Sequence, residues 1–203
     1  YDNAQLLTAY TRLSQLSAST RERSVEVCEG IANFLLNVLR LPNGAFASAQ
    51  DSESTVDGVR VEGTYYALDA AARAAQPAPA LDAKVLSGWN GLAIDALACA
   101  GTVLEHPEWV DAAAVATDYL LAEHLLQPTP PASGNTAASS AFASQMKAPV
   151  SLIRVSVGGK PSTARATLED YGMLAQACLH LGLATGEVRY AVAGRALVDA
   201  TLA

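Results

Sequence analysis

Two kinds of helical segment alternate along this sequence, and the alternation restricts the chain to a layered helical fold. The segments 90–104 and 167–186 are apolar nearly all round, through Leu92, Ile94, Leu97, Cys99 and Val103 in one and Leu168, Met173, Leu174, Cys178, Leu179 and Leu181 in the other. The segment 21–41 instead has a single apolar stripe opposite its glutamates. A helix that is apolar on all sides is buried, whereas a helix with one stripe lies at the surface. Numbered along the chain, 90–104 and 167–186 are the third and fifth of six helical segments and 21–41 is the second. The pattern therefore predicts an inner layer of odd-numbered segments and an outer layer of even-numbered ones.

Six such segments form three helical hairpins. They cover 2–17, 21–41, 90–104, 106–126, 167–186 and 187–203. The inner helices begin near residues 3, 90 and 170, so the hairpins recur after 87 and 80 residues. That period is longer than a hairpin alone and includes an extended arm. The pattern predicts a mainly α fold, an (α/α) toroid of about three hairpins with short β arms, forming part of a six-hairpin barrel.

The whole chain, 1–203, is expected to be one partial toroid domain and part of a longer protein, because it starts at Tyr1 without a methionine and ends on an apolar helical pattern. Residues 42–88 are predicted to form a β-arm and a proline-rich connector, with strands in 44–50 and 60–68. Residues 127–166 are predicted to form a loop and a second β-arm, with a strand at 150–157. Asp2 or Asn3 is the expected cap of the first helix and Thr167 that of the fifth.

Composition excludes several classes of partner and location. Of the 203 residues 51% are hydrophobic, the net charge is −7, and no basic stripe is present, which argues against nucleic acid and anionic membranes. No window reaches the roughly 18 uncharged apolar residues of a membrane span. The cysteines Cys28, Cys99 and Cys178 lie far apart without a CxxC pair, which is typical of buried thiols in a reducing, cytoplasmic compartment. The sequence contains no cofactor-binding or metal-binding motif, so none is expected.

A candidate binding site follows from how the inner helices begin. Each starts with an aromatic residue beside a carboxylate or amide, in the stretches Tyr1-Asp2-Asn3, Trp89-Asn90 and Glu169-Asp170-Tyr171. In a toroid these N-termini gather at one end of a central funnel, where helix dipoles leave partial positive charge. A sugar or similar small polar ligand suits such a site, with Tyr1, Asp2, Asn3, Gln50, Trp89, Asn90 and Tyr171 as the predicted binding residues.

If the site is catalytic, a pair of carboxylates has to act as acid and base, because no histidine lies at the start of an inner helix. The candidates are Asp51 or Glu53, on an arm that could cover the same end, against Glu169 or Asp170. The alternative is that these polar residues only cap helices and that the aromatic residues only fill the core.

Other titratable residues favour structural roles. Asp95 is a lone acid within the most apolar helix, and most buried acids are paired structurally. His106 lies in a turn, His124 near an outer helix end, and His180 deep in the fifth helix, where a hydrogen-bonded core residue is expected rather than a base.

Five blocks of the sequence resemble a known family in consecutive order. They read YDNAQLL, GAFASAQDSES, VEGTYYAL, KVLSGWNGLAIDALA and TLEDYGMLAQA, and they are similar to the spermatogenesis-associated thioredoxin-domain family. The resemblance implies about half of a toroid like those of six-hairpin glycosidases and N-acylglucosamine 2-epimerases. Such epimerases use histidines on inner helices, and none stands at a matching position here.

The resemblance also implies an alternative function. The thioredoxin-like domain of that family and its CxxC are absent from this sequence. The helical part would then be a non-catalytic recognition or scaffold domain of a thioredoxin-linked protein. A partial toroid also leaves apolar edges exposed, so self-association or missing chain segments are expected to complete it.

Overall fold

The structure, a computed structural model, describes residues 1–126 and 150–202. The predicted loop at 127–140 lies outside them. Helix α1 covers Asp2–Leu16, and α2, Ala18–Phe34, continues into a π-helical turn, Leu35–Leu39. Two short helices follow, α3 Thr64–Ala67 and α4 Ala70–Ala74. The remaining helices are α5 Ser87–Val103, α6 Pro107–Glu123, α7 Leu168–Thr185 and α8 Val188–Ala200.

Three helical hairpins, α1–α2, α5–α6 and α7–α8, lie side by side. The first helix of each hairpin packs on the first helix of the next, so that α5 lies between α1 and α7. The second helices pack behind, and α6 also reaches α7. This is the predicted arrangement of inner and outer layers in an (α/α) toroid, and the prediction is confirmed. Among the described helices, none is long and apolar enough to cross a membrane.

Helix α5 forms the centre of the core. Its residues Ile94, Leu97 and Ala98 are fully buried, as the apolar pattern predicts. The approach of α7 to α5 depends on a glycine. A Cβ added at Gly91 would lie 2.7 Å from the backbone carbon of Met173, which is closer than real Cβ contacts. The two inner helices therefore touch backbone to backbone at this level.

The prediction of complete burial is wrong for one edge of α7. Leu168 and Leu183 are 73% and 83% exposed, and Leu179 is also exposed. The physical reason is that α7 has an inner neighbour, α5, on one side only. Helix α1 likewise exposes Leu6, Leu13 and Leu16. The described part of the toroid thus ends in two apolar edges, one on each terminal inner helix.

Short antiparallel strands join the hairpins. They are β1 Ala49–Gln50, β2 Glu53–Val56, β3 Val59–Glu62, β4 Leu81–Asp82, β5 Lys84–Leu86, β6 Leu125–Leu126, β7 Ser151–Leu152, β8 Val155–Val157 and β9 Lys160–Pro161. Strand β1 pairs with β4, β2 with β3, and β6 with β7, while β5, β8 and β9 form a three-stranded sheet. The sheet pairs Leu86, just before α5, with Val155 of the second arm.

Several local predictions need correction. Residues 60–68 are not one strand, because β3 ends at Glu62 and Gly63, with φ +73°, turns the chain into α3. In 44–50 only Ala49–Gln50 is a strand, and 150–157 divides into β7 and β8. Helix α5 begins at Ser87 rather than Asn90, and the N-cap of α1 is Tyr1 rather than Asp2 or Asn3. The prediction of Thr167 as the N-cap of α7 is confirmed.

A buried histidine ties the second arm to the start of α5. The Nδ1 and Nε2 atoms of His124 each lie 2.7 Å from a serine hydroxyl, that of Ser87 and that of Ser156. Ser87 donates its hydroxyl hydrogen to the carbonyl of Ile153 at 2.6 Å, so it accepts from Nδ1–H of His124. Nδ1 therefore carries a proton. Burial disfavours the charged imidazolium and lowers the pKa of His124 to about 4, so the ring is neutral at pH 7.

The stability of the fold should fall in mild acid because of His124. The unfolded chain binds a proton near pH 6.5, whereas the folded chain does so only near pH 4. As the pH falls between these values, the free energy of unfolding should decrease by up to about 3 kcal/mol. Urea unfolding from pH 7.5 to pH 4.5 measures this slope. A His124→Asn variant should show a shallower slope, and equal slopes in both proteins would contradict the assignment.

Candidate functional site

A cavity of about 500 Å³ opens at the N-terminal ends of α1 and α5. Its walls come from both helices, the end of α2 and the arm between α2 and α3. It contains six of the seven predicted binding residues, namely Tyr1, Asp2, Asn3, Gln50, Trp89 and Asn90. Residues that are 40 to 90 positions apart in sequence are therefore neighbours here. The aromatic residues Phe34, Phe46 and Tyr66 also line the cavity and were not predicted from the sequence.

Aromatic rings form one side of the cavity. The ring centroids of Tyr1 and Trp89 are 5.0 Å apart with an angle of 46° between their planes. Trp89 is half-buried, and Tyr66 is exposed at the rim. The indole has a rigid flat face, and its partial exposure leaves some of that surface accessible.

Polar groups lie beside these rings. Asp2, on the first turn of α1, has an exposed side chain, and Asn3 is half-buried. Gln50 donates from Nε2 to the carbonyl oxygen of Pro79 at 3.3 Å, which fixes its amide on the arm. The N–H of Ser87 at the start of α5 donates to the carbonyl of Arg154. The other N–H groups in the first turns of α1 and α5 point toward this end without partners inside their own helices. The cavity combines hydrogen-bonding groups with an apolar wall.

Asn90 lines the cavity but its amide is already engaged. Its Oδ1 accepts from the backbone N–H of Phe46 at 2.8 Å. Its Nδ2 donates to the carbonyl oxygens of Phe46 and Leu86, each at 3.0 Å. Asn90 is fully buried. It therefore holds the Phe46 segment against α5 and shapes the cavity wall.

The third inner helix contributes no lining residue to this cavity. The Oδ2 atom of Asp170 accepts from the backbone N–H and the hydroxyl of Thr167 at 2.8 and 2.9 Å. Arg154 lies 3.6 Å from the same oxygen. The hydroxyl of Tyr171 accepts from the backbone N–H of Leu152 at 2.9 Å, while Glu169 is exposed. Asp170 and Tyr171 thus stabilise the start of α7 and the second arm.

The predicted acids of the first arm lie at its surface. Tyr66, at the cavity rim, donates its hydroxyl to the backbone oxygen of Asp51 at 2.5 Å. The carboxylate of Asp51 accepts from the backbone N–H of Glu53 at 3.1 Å. The carboxylate of Glu53 pairs with Arg60 on the neighbouring strand. None of the four proposed acids lines the cavity, whereas Asp2 does. Their catalytic role stays a prediction.

A second cluster, absent from the predicted site, lies between α5 and α7. Asp95 accepts at Oδ2 from Gln176 Nε2 at 2.8 Å, and its Oδ1 hydrogen-bonds to Nδ1 of His180. The structural pairing expected for Asp95 is confirmed. The thiol of Cys99 lies 3.7 Å from Asp95 Oδ1 and 3.5 Å from His180 Nδ1. Burial and the nearby Asp95 charge raise the pKa of Cys99 to about 11.

The sequence carried a weak signal for this cluster. Asp95 and Cys99 stand four positions apart, as do Gln176 and His180, so each pair shares a helix face. What the sequence could not provide was the register that brings the two faces together across 85 residues. His180 is hydrogen-bonded, as expected, but it is half-buried rather than deep in the core.

Helical hairpins with a continuous inner layer and an outer layer behind it define the class of fold as an α/α toroid. A solved structure of this class, the cellobiose 2-epimerase from Spirochaeta thermophila DSM 6192, is similar with a TM-score of 0.64 and 14% sequence identity. The similarity covers 97% of this chain and 41% of the epimerase chain. At this identity the likeness concerns the fold alone. No protein-family model and no curated protein matches the sequence.

Removing the Asn90 amide should destabilise the protein. The Asn90→Ala variant leaves the buried N–H and carbonyl of Phe46 without their partner, so we expect the free energy of unfolding to fall by about 3 kcal/mol. Asn3→Ala, which alters the same cavity at a half-buried position, should change it by less than about 1 kcal/mol. Chemical denaturation measures both variants. Equal losses would contradict the role assigned to Asn90.

Proposed function

We propose that the cavity beside Trp89 binds a carbohydrate or a similar small polar molecule. The observation that carries the proposal is one cavity of about 500 Å³ in which the ring of Trp89 stands beside Asp2, Asn3 and Gln50. Ligand sites of small molecules have volumes of roughly 300–1,000 Å³ and combine apolar walls with a few polar groups. The cavity has both properties.

The chemistry of a sugar ring matches these groups. Its C–H faces are apolar and can lie on the exposed face of Trp89, while its hydroxyl groups point outward around the ring. The Asp2 carboxylate accepts hydrogen bonds, and the amides of Asn3 and Gln50 both donate and accept them. The dipoles of α1 and α5 add donors at the same end. The fold likeness to a cellobiose 2-epimerase agrees with this ligand class.

The groups described so far account for binding of the ligand. Catalysis on the bound ligand would need a further group. Asp2 is the carboxylate of the cavity wall, and an acid–base mechanism requires a second titratable group within reach of the ligand. If the domain isomerises, epimerises or hydrolyses a sugar, Asp51 is the predicted acid with a contact to the cavity lining, since its backbone oxygen accepts a hydrogen bond from the hydroxyl of Tyr66 at the rim.

Sugar binding should depend on Trp89. We expect Trp89→Ala to weaken binding by about tenfold or more, because an aromatic contact contributes about 1 kcal/mol beyond its buried area. Trp89→Phe keeps a flat ring and should retain most of the affinity. Isothermal titration calorimetry with glucose, mannose and cellobiose measures these effects.

Three carboxylate variants locate the site. Asp2→Asn should weaken the same binding, whereas Asp111→Asn, an exposed acid on the outer helix α6, should not. Asp170→Asn should lower stability through loss of its contacts with Thr167 without affecting affinity. Failure of all three sugars to bind, or unchanged binding by Trp89→Ala, would contradict the proposal.

We also infer that the chain is the helical part of a spermatogenesis-associated thioredoxin-domain protein of the cytoplasm. The ordered sequence blocks and the toroid fold support this inference. Should the cavity bind no sugar, the non-catalytic role as a recognition or scaffold domain for a thioredoxin-linked partner becomes the better account, since none of the proposed acids lines the cavity.

We propose further that a second copy of this chain covers the exposed edges of α1 and α7. The support is the apolar surface of Leu179 and Leu183 on one edge and of Leu6 and Leu13 on the other. The chain spans 41% of the length of the similar epimerase structure, which is close to the half that one of two copies would provide. Segments from elsewhere in a longer chain are the competing occupant.

The edge of α7 gives a direct test of self-association. Light scattering coupled to gel filtration should find a dimer, and Leu183→Glu should convert it to a monomer because a charge would be buried in an apolar contact. Val115→Glu, which places the same charge at an exposed position of the outer helix α6, should leave the dimer intact. A monomeric wild-type chain at all concentrations would contradict self-pairing.

A further inference from the structure

Three side chains with metal-binding atoms meet between the inner helices α5 and α7. Asp95 and Cys99 are one helical turn apart on α5, and His180 faces them from α7. A carboxylate oxygen, the thiol sulfur and one imidazole nitrogen all lie within 4.8 Å of one another. We propose that Asp95, Cys99 and His180 bind one zinc ion, at a site separate from the cavity beside Trp89.

The distances between these atoms fit tetrahedral zinc. Zinc–sulfur and zinc–nitrogen bonds of about 2.3 and 2.0 Å place two tetrahedral ligands about 3.5 Å apart. The Cys99 sulfur lies 3.5 Å from Nδ1 of His180 and 3.7 Å from Oδ1 of Asp95. The hydrogen bond between His180 and Asp95 uses these same two atoms, so the ion takes the place of the shared proton, and the Cys99 thiol releases its proton to solvent when its sulfur binds the ion. A small separation of the two side chains completes the geometry.

A neighbouring side chain holds the carboxylate in place. Gln176, one turn before His180 on α7, donates from Nε2 to Oδ2 of Asp95 at 2.8 Å. That contact leaves Oδ1 directed at Cys99 and His180. Hydrogen bonds of this kind, from residues outside the ligand set, orient ligands and tune metal affinity. Two pairs of residues at a spacing of four, one on each helix, therefore build the site.

The site is open on one side. The side chain of Asp95 is 9% exposed, whereas that of His180 is 39% exposed. A cavity of about 220 Å³ borders both Cys99 and His180, and its other walls are mostly apolar, including Val103 and Leu183. An ion can enter from this side. Three protein ligands leave the fourth tetrahedral position for water, as in zinc sites that bind a substrate or inhibitor.

The ligand types select the metal. A thiolate is a poor ligand for magnesium and calcium, which prefer oxygen atoms. Sulfur, imidazole and carboxylate together suit zinc. Zinc with one thiolate and one carboxylate forms a neutral centre, so binding would not bury net charge between the two helices.

Cobalt(II) tests the site, because it occupies zinc sites and has a visible spectrum. The full chain is treated with a chelator, desalted and titrated with cobalt. We expect one ion per chain, a thiolate-to-cobalt charge-transfer band in the near ultraviolet, the strong visible absorption of a tetrahedral ion, and loss of both on addition of zinc. Absence of the charge-transfer band at saturating cobalt in the wild-type chain would overturn the proposal without recourse to any variant.

Variants then identify the ligands. Cys99→Ser should abolish the charge-transfer band, and His180→Gln, at a half-exposed position, should weaken binding by at least about a hundredfold. Gln176→Ala should weaken it by about tenfold or more. Cys178→Ala, which removes a buried thiol of α7 outside the cluster, should leave the spectrum unchanged. Circular dichroism confirms that each variant is folded, and a band that persists in folded Cys99→Ser would overturn the assignment.

Discussion

The close packing of α5 against α7 is the contact on which the other features depend. It is possible because Gly91 lets the backbones meet, with no room for a side chain between them. This approach brings Asp95 and Cys99 within reach of His180, and it leaves α5 buried between two inner helices. At the start of α5, Trp89 and Asn90 lie beside the start of α1 and the first arm.

Much of the fold followed from sequence because helix burial follows helix composition. Ile94 and Leu97 on α5 are buried as the continuous apolar pattern predicts, and the hairpins have the expected order. The arms were less predictable. Short strands carry little periodic signal, and the stretch after Gly63 becomes helical through a positive φ that the sequence marks only by a glycine. Exposed apolar edges were expected of a partial toroid, but the exposure of Leu168 and Leu183 on α7 was not, because burial there depends on a neighbouring helix and not on the helix itself.

Part of the candidate site was predicted from the parallel order of the inner helices. Aromatic and polar residues at the starts of α1 and α5 do share one cavity, since parallel inner helices bring their N-termini together. Asp170 instead caps a helix, because its carboxylate accepts hydrogen bonds from Thr167 at the start of α7. A sequence does not distinguish an acid that caps a helix from one that faces a ligand. Nor does it give the register that joins Cys99 to His180 across two helices.

The two apolar edges have a geometric consequence for assembly. The edge on α1 and the edge on α7 are different surfaces, so a contact that places one on the other would join unlike patches of two copies, head to tail. Copies joined in this way form a closed ring only if the rotation from one copy to the next is a whole fraction of 360°. If the ring has the six hairpins predicted from the sequence, three of them turn the chain by half a circle, and two copies would return to their start with every edge covered. A slightly different rotation would instead leave a free edge on each copy and produce an open helical filament.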